Sequence, residues 1–225
     1  MSLERVKKYI RKNGPANEFM RLGKQFQLVV IGGSAGATEV IIAILGRLPA
    51  DFGLPVVIVK HISPDYRYSH YYTKSLNERC RSAVKEADQG EAIMPGVFYL
   101  APPNYHLLIE KDRTFSLSID EKVKFCRPAI DVLFETAADA YCDHLIGILL
   151  SGANDDGANG LKRIKGKEGY TIVQDPGTAD VATMPRAAIN VCKIDAILTP
   201  KKIVDSLMAL SKYKCEYSEI NNESQ

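Results

Sequence analysis

Serine, histidine and aspartate side chains follow three different apolar segments that the sequence predicts to be buried strands. Ser34 lies at the end of LVVIGG, His61 follows PVVIVK, and the adjacent Asp155 and Asp156 lie just beyond HLIGILLSG. In an open α/β sheet the carboxyl ends of parallel strands share one edge, and ligands bind there. We therefore expect these side chains to meet at that edge, where they could act as nucleophile, base and orienting carboxylate.

The glycine-rich turn around Ser34 is better suited to hold a nucleophile than a phosphate. Gly32, Ser34 and Gly36 match the pattern G-x-S-x-G between a predicted strand and a predicted helix. The turn lacks the glycine spacing of G-x-G-x-x-G and the G-K-[ST] ending of a P-loop, and the next strand ends in Lys60 and His61 instead of an acidic residue. A nucleotide-binding module is therefore the less favoured alternative.

Of the four histidines, only His61 has the position expected of a base. His144 opens a predicted strand and so falls at the opposite edge of the sheet, and His70 lies inside a partly solvated helix. His106 begins a predicted hairpin, where a surface or packing role is expected. The pairing of His61 with Ser34 at neighbouring strand ends therefore favours a functional role for His61.

Two aspartates are candidates for the carboxylate that orients His61. Asp155 and Asp156 precede a glycine, where loop aspartates commonly form turns or cap helices, and spacing alone does not choose between them. The chain order Ser, His, Asp differs from the order Ser, Asp, His of the α/β-hydrolases. A triad of these residues would therefore represent a separate arrangement of the same groups.

The order of the predicted elements indicates one α/β domain. Apolar strands alternate with helices over most of the chain, which is typical of a doubly wound, mostly parallel sheet with helices on both faces. In the middle, GVFYLAPPN, YHLLIEK and TFSLSI predict short antiparallel hairpins that form an insertion. We expect a basic leader at residues 1–25, a catalytic domain at 26–213 and a disordered polar tail at 214–225.

Composition excludes several classes of protein. The 225 residues carry a net charge of +2, which gives no indication of nucleic-acid binding, and the sequence has neither a membrane-length apolar run nor a signal peptide. We therefore expect a cytoplasmic protein without membrane insertion. An odd number of cysteines without paired spacing predicts free thiols, not disulfides or a zinc site. They are Cys80, Cys126, Cys142, Cys192 and Cys215.

Six segments together resemble the catalytic domain of the bacterial chemotaxis-receptor methylesterases. They are VVIGGSAGATE, VIVKHISPDY, VFYLAPPNYHLLI, CRPAIDVLFETAA, ILLSGANDDGANGLKRIK and ATMPRAAI, in family order over about residues 27–205. These protein-glutamate methylesterases remove methyl groups from receptor glutamates, and many also deamidate receptor glutamines. The resemblance implies a carboxylic ester hydrolase of chemotaxis or a related signalling pathway, which needs neither a metal nor an organic cofactor.

The resemblance also implies roles for individual residues. The family nucleophile falls on Ser34, its histidine on His61 and its aspartate on Asp156, which chooses between the two adjacent aspartates. Backbone N–H groups near Ser34 and Ala153 would hold the oxyanion. The residues that this implies for the oxyanion and substrate vicinity are Gly33, Ala35, Gly36, Ala153 and Met184.

The implied substrate is the methylated cytoplasmic helices of a chemoreceptor, and a methyltransferase or a histidine kinase would be a partner in the same pathway. A catalytically silent scaffold of the same fold, binding a receptor or another partner, is the alternative. Family members commonly carry a phosphorylatable receiver domain ahead of the esterase, and residues 1–25 are too short to form one.

The sequence departs from the family pattern at two turns. Ala37 replaces a glycine after the nucleophile turn, and Ala153 and Asn154 replace a methionine and a glycine before the aspartate. A backbone donor survives a change of side chain, so Ala153 leaves an oxyanion site possible, while Asn154 could change the shape of its loop. Ala37 either strengthens the start of the following helix or narrows the approach to Ser34, and the sequence leaves both alternatives open.

Overall fold

The computed structural model describes residues 25–61 and 66–210, with the side chains of residues 66–68 outside the description. The expected polar tail lies outside the described residues, and so does the expected leader except for residue 25. The domain bounds derived from the sequence therefore stay predictions.

In the described part of the chain, seven short strands form one sheet in which every neighbouring pair is parallel. They are β1 (Leu28–Gly33), β2 (Val56–Lys60), β3 (Val84–Glu86), β4 (Phe98–Leu100), β7 (Leu145–Leu149), β8 (Tyr170–Gln174) and β9 (Ala196–Leu198). Their order across the sheet is β3-β4-β2-β1-β7-β8-β9. The central strands are almost entirely apolar because helices cover both of their faces, as is usual in parallel sheets.

Within the described residues, six helices cover the two faces of this sheet. They are α1 (Thr38–Leu45), α2 (Tyr66–Arg79), α3 (Ile130–Tyr141), α4 (Ala158–Gly166), α5 (Thr183–Val191) and α6 (residues 200–210). Apolar residues of α1, α2 and α6 share one core with the sheet, and those of α3, α4 and α5 share the other. The doubly wound α/β fold expected from the sequence is therefore confirmed. Across the described ranges, no helix has both the length and the apolar character needed to cross a membrane.

The middle of the chain differs in part from the expected hairpins. The strands β5 (His106–Ile109) and β6 (Phe115–Ser118) do form an antiparallel hairpin, separate from the main sheet. However, the prediction that β4 belongs to a hairpin is wrong, because β4 pairs in parallel with both β2 and β3. The sequence patterns also fail to predict the strand β3. Both strands have only three residues, too few for an apolar period to reveal their direction or partners.

The central strand β1 lies where the order of the strands reverses. The strands β2, β4 and β3 extend to one side of it, and β7, β8 and β9 extend to the other. Gly33 at the end of β1 is in register with Lys60 at the end of β2, and Gly32 is in register with Leu149 at the end of β7. The loops that follow these three strands therefore open on one crevice, the usual place for a site in this kind of sheet.

Candidate active site

Ser34 follows β1 directly and lies half-buried in a tight turn. Its backbone N–H donates to the carbonyl of Ser151 at 2.9 Å, which ties the turn to the loop after β7. Gly36 has φ +77°, and a Cβ there would lie 2.7 Å from Ser151 Oγ and 2.6 Å from Asp180 Cβ. Only glycine fits this position without displacing the neighbouring loops.

Ala37 lies beneath the turn and is fully buried. Its N–H donates to the carbonyl of Ser34 at 3.1 Å, and its Cβ would lie only 2.6 Å from a Cβ built on Gly33. The methyl group thus packs against the end of β1 and away from solvent. Of the two alternatives left open by the sequence, this placement favours support of the helix start over narrowing of the approach.

Ser151 links the Ser34 turn to the segment before α5. Its buried Oγ donates to the carbonyl of Ala35 at 2.7 Å and accepts the N–H of Val181 at 2.9 Å. Its own N–H donates to Oε1 of the buried Gln174 at 3.0 Å. The sequence patterns assign Ser151 no role, and the only available signal is its position directly after an apolar strand.

His61 follows β2 and is held beside Ser34 by the backbone. Its N–H donates to the carbonyl of Gly33, the residue before Ser34, at 3.0 Å. Its Nε2 lies 2.7 Å from Oδ2 of Asp156, and its Nδ1 lies 3.5 Å from Sγ of Cys126. The structure thus joins His61 to Asp156, while no hydrogen bond connects Ser34 Oγ to His61 within the described ranges.

Asp156 is fully buried at the N-terminus of α3. Oδ2 accepts the N–H of Ile130 at 2.7 Å, and Oδ1 accepts the N–H of Asp131 at 3.0 Å. Gly157, with φ +91°, permits this approach, because a Cβ there would lie 2.7 Å from Ile130 Cγ2. The unpaired N–H groups at a helix N-terminus favour negative charge, so this position suits an ionised carboxylate.

The surroundings of His61 and Asp156 favour their charged forms. Burial opposes the charge on Asp156, but hydrogen bonds from His61, Ile130 and Asp131 outweigh it and lower the pKa of the carboxyl. Burial likewise opposes the charge on His61, and contacts with Asp156 and Cys126 outweigh it and raise the pKa of the imidazole to about 9. Since an ionised carboxylate can only accept, Nε2 carries a proton and Nδ1 is the ring nitrogen that can act as a base.

Lys124 fixes the loop that carries the two aspartates. Its Nζ lies 2.9 Å from Oδ2 of the buried Asp131 and 3.3 Å from Oδ2 of the exposed Asp155. Oδ1 of Asp131 accepts the N–H of Gly160 in α4 at 2.7 Å. Burial opposes the charge on Lys124, and the two carboxylates outweigh it and raise the pKa of the amine. Asp155 therefore lies toward solvent and Lys124, and Asp156 lies toward His61.

The backbone N–H groups near the crevice differ in their availability. The N–H of Ser34 is already bonded to Ser151. Within the described part of the chain, the N–H groups of Ala35, Gly36 and Ala153 donate no hydrogen bond, and Ala35 and Ala153 are exposed. These three groups are thus free to bind an oxyanion.

Met184 packs beside Ser34. Its N–H donates to the carbonyl of Gly152 at 2.9 Å, and its buried side chain lies against the same residue. A Cβ built on Gly152 would lie 2.4 Å from Met184 Cε and 3.0 Å from Ser34 Cβ. Met184 therefore fills the space beside Gly152, next to Ser34.

The other three histidines lie away from Ser34, His61 and Asp156. His106 is buried, donates from Nε2 to the carbonyl of Glu121 at 3.0 Å and accepts the N–H of Ala129 at Nδ1, which is a packing role. His70 is exposed on α2. His144 precedes β7 at the opposite edge of the sheet, where Nδ1 donates to the carbonyl of Gln25 at 2.8 Å.

Cys126 is a second residue near the site that the sequence patterns miss. It is half-buried, and its Sγ contacts Nδ1 of His61 although 65 positions separate the two residues. No spacing rule connects residues so far apart, so the cysteine count predicts only a free thiol. Among the described residues, His61, Cys126 and Asp156 form the one group that offers a metal three ligand atoms within 4.8 Å of one another.

Comparison with known proteins places the chain in one family. The family model described as CheB methylesterase matches residues 29–207. A Leptospira interrogans protein named as a protein-glutamate methylesterase/protein-glutamine glutaminase is 49% identical over 191 residues, covering 85% of this chain and 98% of the relative. A Burkholderia orbicola protein named protein-glutamate methylesterase/protein-glutamine glutaminase 2 is 37% identical over 185 residues, covering 82% of this chain but 55% of the relative. The chain thus spans nearly the whole of one relative and about half of the other.

The fold matches a solved structure of the same family. The crystal structure of the Thermotoga maritima CheB methylesterase catalytic domain superposes with a TM-score of 0.77 and 32% sequence identity, covering 83% of this chain and 99% of that one. The resemblance seen in the six sequence segments is confirmed: the chain belongs to the CheB methylesterase family.

Proposed function

We propose that this chain hydrolyses the methyl esters of glutamate side chains in proteins and deamidates glutamine side chains at the same site. The observation that carries the proposal is the bond between His61 and Asp156 beside the Ser34 turn, at the reversal point of the sheet. The names of the relatives from Leptospira interrogans and Burkholderia orbicola support the choice of ester and amide.

The first half of the reaction acylates Ser34. With Nε2–H held by Asp156, Nδ1 of His61 takes the hydroxyl proton as Oγ attacks the ester carbonyl carbon. For this step the Ser34 hydroxyl turns to Nδ1, a hydrogen bond that substrate-free sites often lack. The oxyanion accepts from the free N–H groups of Ala35 and Ala153.

The second half releases the products. The tetrahedral intermediate collapses, the bond to the leaving oxygen breaks, and His61 returns the proton so that methanol leaves. A water molecule then gives a proton to Nδ1 and attacks the acyl carbon. The bond between this carbon and Ser34 Oγ breaks, and Nδ1 returns the proton to Oγ, which frees the glutamate and restores both Ser34 and His61. Glutamine follows the same route with ammonia as the leaving group.

The substrate we propose is the methylated helical surface of a chemoreceptor in the cytoplasm. A methyl group offers little surface for recognition, so affinity for the substrate comes from the protein helix that carries it. A methyltransferase and a histidine kinase of the same signalling pathway are the partners we propose.

The test measures methanol released from methyl-labelled chemoreceptor. We expect release by the parent and a fall of about 10³-fold or more in Ser34→Ala. Ser206→Ala is the matched control, because Ser206 is a buried serine whose Oγ donates to the carbonyl of Lys202 in α6. A fluorophosphonate probe, which reacts with activated serines, should label the parent at Ser34. Equal release by the parent and Ser34→Ala would contradict the proposal, and an unlabelled parent without release would indicate a silent scaffold.

A further inference from the structure

The sulfur of Cys126 lies close to Nδ1 of His61, the base of the proposed reaction. The distance between the two atoms is that expected of two ligands of one metal ion. Sγ lies 3.5 Å from Nδ1 of His61. Zinc bonds to thiolate sulfur at about 2.3 Å and to imidazole nitrogen at about 2.0–2.1 Å, and a tetrahedral angle places these two ligands about 3.5 Å apart. The two atoms are therefore already at the spacing of two ligands on one edge of a zinc tetrahedron.

Neighbouring groups support each of the two atoms as a ligand. Metal-binding histidines usually donate their other ring N–H to a carboxylate, and Nε2 of His61 is held in this way by Asp156 at 2.7 Å. Asp156 is better suited to this supporting role than to direct ligation, since its oxygens also accept two backbone N–H groups. Asn154 donates from Nδ2 to Sγ of Cys126 at 3.6 Å, which helps to hold the sulfur in position.

The backbone around Cys126 is held in place. Val123 and Cys126 form an isolated antiparallel bridge, with N–H to carbonyl distances of 3.2 and 2.9 Å. Buried His106 bonds to both sides of this segment, at Glu121 and at Ala129. Cys126 itself is partly exposed to solvent.

We propose that Sγ of Cys126 and Nδ1 of His61 form a binding site for a thiophilic divalent cation, of the class of Zn²⁺, which reversibly blocks His61. On binding, the thiol gives up its proton, an imidazolium gives up the proton on Nδ1, and both atoms donate a lone pair to the ion. The Nε2–H group of His61 keeps its hydrogen bond to Asp156, and water molecules fill the other coordination positions of the ion. Because protons are released, affinity for the ion rises with pH.

The consequence for activity rests on the function proposed above. A lone pair engaged by the metal cannot accept the proton of Ser34, so the bound ion inhibits the esterase. The ion acts as a regulator, and the hydrolysis itself proceeds without it. A cysteine next to the base thus makes ester hydrolysis sensitive to free zinc.

Cobalt binding tests the site without any activity measurement. Co²⁺ added to the metal-free full-length protein should produce a thiolate-to-cobalt absorption band that saturates at one equivalent and is displaced by Zn²⁺. We expect the band to vanish in Cys126→Ser and Cys126→Ala, and Asp156→Asn to lower the affinity for Co²⁺ about 10–100-fold. Cys142→Ser is the matched control, because Cys142 is an exposed cysteine at the opposite end of α3. No band in the parent, or an unchanged band in both folded Cys126 variants, would overturn the site.

Inhibition is measured as the ratio of methanol release with and without Zn²⁺ in each protein. We expect at least a tenfold reduction in the parent and in Cys142→Ser, reversal by a chelator, and a ratio near one in Cys126→Ser. A parent that binds cobalt through Cys126 yet keeps full release with zinc bound would overturn the regulatory role. A parent with the cobalt band but no release without metal would instead contradict the proposed function and leave the site supported.

Discussion

His61 and Asp156 meet through Nε2 and Oδ2 at 2.7 Å, although 95 positions separate them in the chain. The carboxylate that receives this bond is fully buried and also accepts two N–H groups at the start of α3. The bond assigns the proton to Nε2 and leaves Nδ1 for chemistry. The pH dependence of His61 and the difference between Asp155 and Asp156 both depend on this bond.

The activity should rise as the pH passes through about 9. The pKa of His61 is raised to about 9, so Nδ1 carries a proton below that pH and cannot act as a base. The stability contributed by His61 ionisation is complete below its ordinary pKa of 6.5 and is lost as the pH rises through about 9. Methanol release and thermal unfolding, each measured against pH, check the two trends, and an activity midpoint near 6.5 would contradict the assignment.

Asp156→Asn should abolish most of the activity, and Asp155→Asn should not. An amide in place of the Asp156 carboxylate no longer stabilises the imidazolium or fixes the tautomer, a change that lowers kcat by about 10⁴-fold in related triads. Asp155 is exposed and directed to Lys124, so its amide variant should keep most of the activity. Steady-state methanol release by the two folded variants measures this difference. Equal losses of activity would contradict the choice of Asp156 as the orienting carboxylate.

Ser151→Ala should slow the reaction and destabilise the fold. The change removes the hydrogen-bond donor of the Ala35 carbonyl and the acceptor of the Val181 N–H. A buried polar group left without its hydrogen bond costs about 1–3 kcal/mol of unfolding free energy. Because Ala35 belongs to the turn that carries Ser34, the proposed nucleophile, we expect kcat to fall more than KM rises. Ser206→Ala controls for the loss of a buried hydroxyl, and equal kcat in both variants would show that Ser151 does not position the turn.

Gly36→Ala should be more destabilising than Gly96→Ala. Both glycines have a positive φ, +77° and +76°, so each alanine incurs a backbone cost of about 1–2 kcal/mol. At Gly36 the added methyl also meets Asp180 and Ser151, whereas nothing lies within 4 Å at Gly96. We expect an excess loss of about 1–3 kcal/mol at Gly36 from this overpacking. Chemical denaturation measures both variants, and equal losses would exclude the steric contribution.

Lys124→Met should destabilise the loop that carries Asp156. Without the amine, the buried carboxylate of Asp131 loses its ion pair, and we expect a loss of about 1–3 kcal/mol. Lys122→Met removes an exposed lysine two positions away and should change the stability little. Denaturation of the two variants at neutral pH provides the measurement. Equal stability would show that the Lys124 ion pair contributes nothing net.

The sequence predicted the doubly wound sheet correctly because its central strands and helices are long enough to show their periods. It failed at β3 and β4, where three-residue strands carry no period and direction depends on which neighbours they meet. The roles of Ser34, His61 and Asp156 came from strand ends and family motifs and stay predictions that the variants above test. Asp155 and Asp156 could not be separated by spacing, because adjacent residues in a loop differ only in the direction they finally face.

The sequence by itself determined the fold class, the family and the strand ends at which a site should lie, because these follow from local patterns and motif order. Only the tertiary structure decided that Asp156 holds Nε2, that Ala37 packs beneath the turn, and that Ser151 joins two loops. It also placed Cys126 against Nδ1 of His61 at 3.5 Å. These relationships depend on contacts between residues far apart in the chain, and such contacts exist only once the sheet and helices have packed.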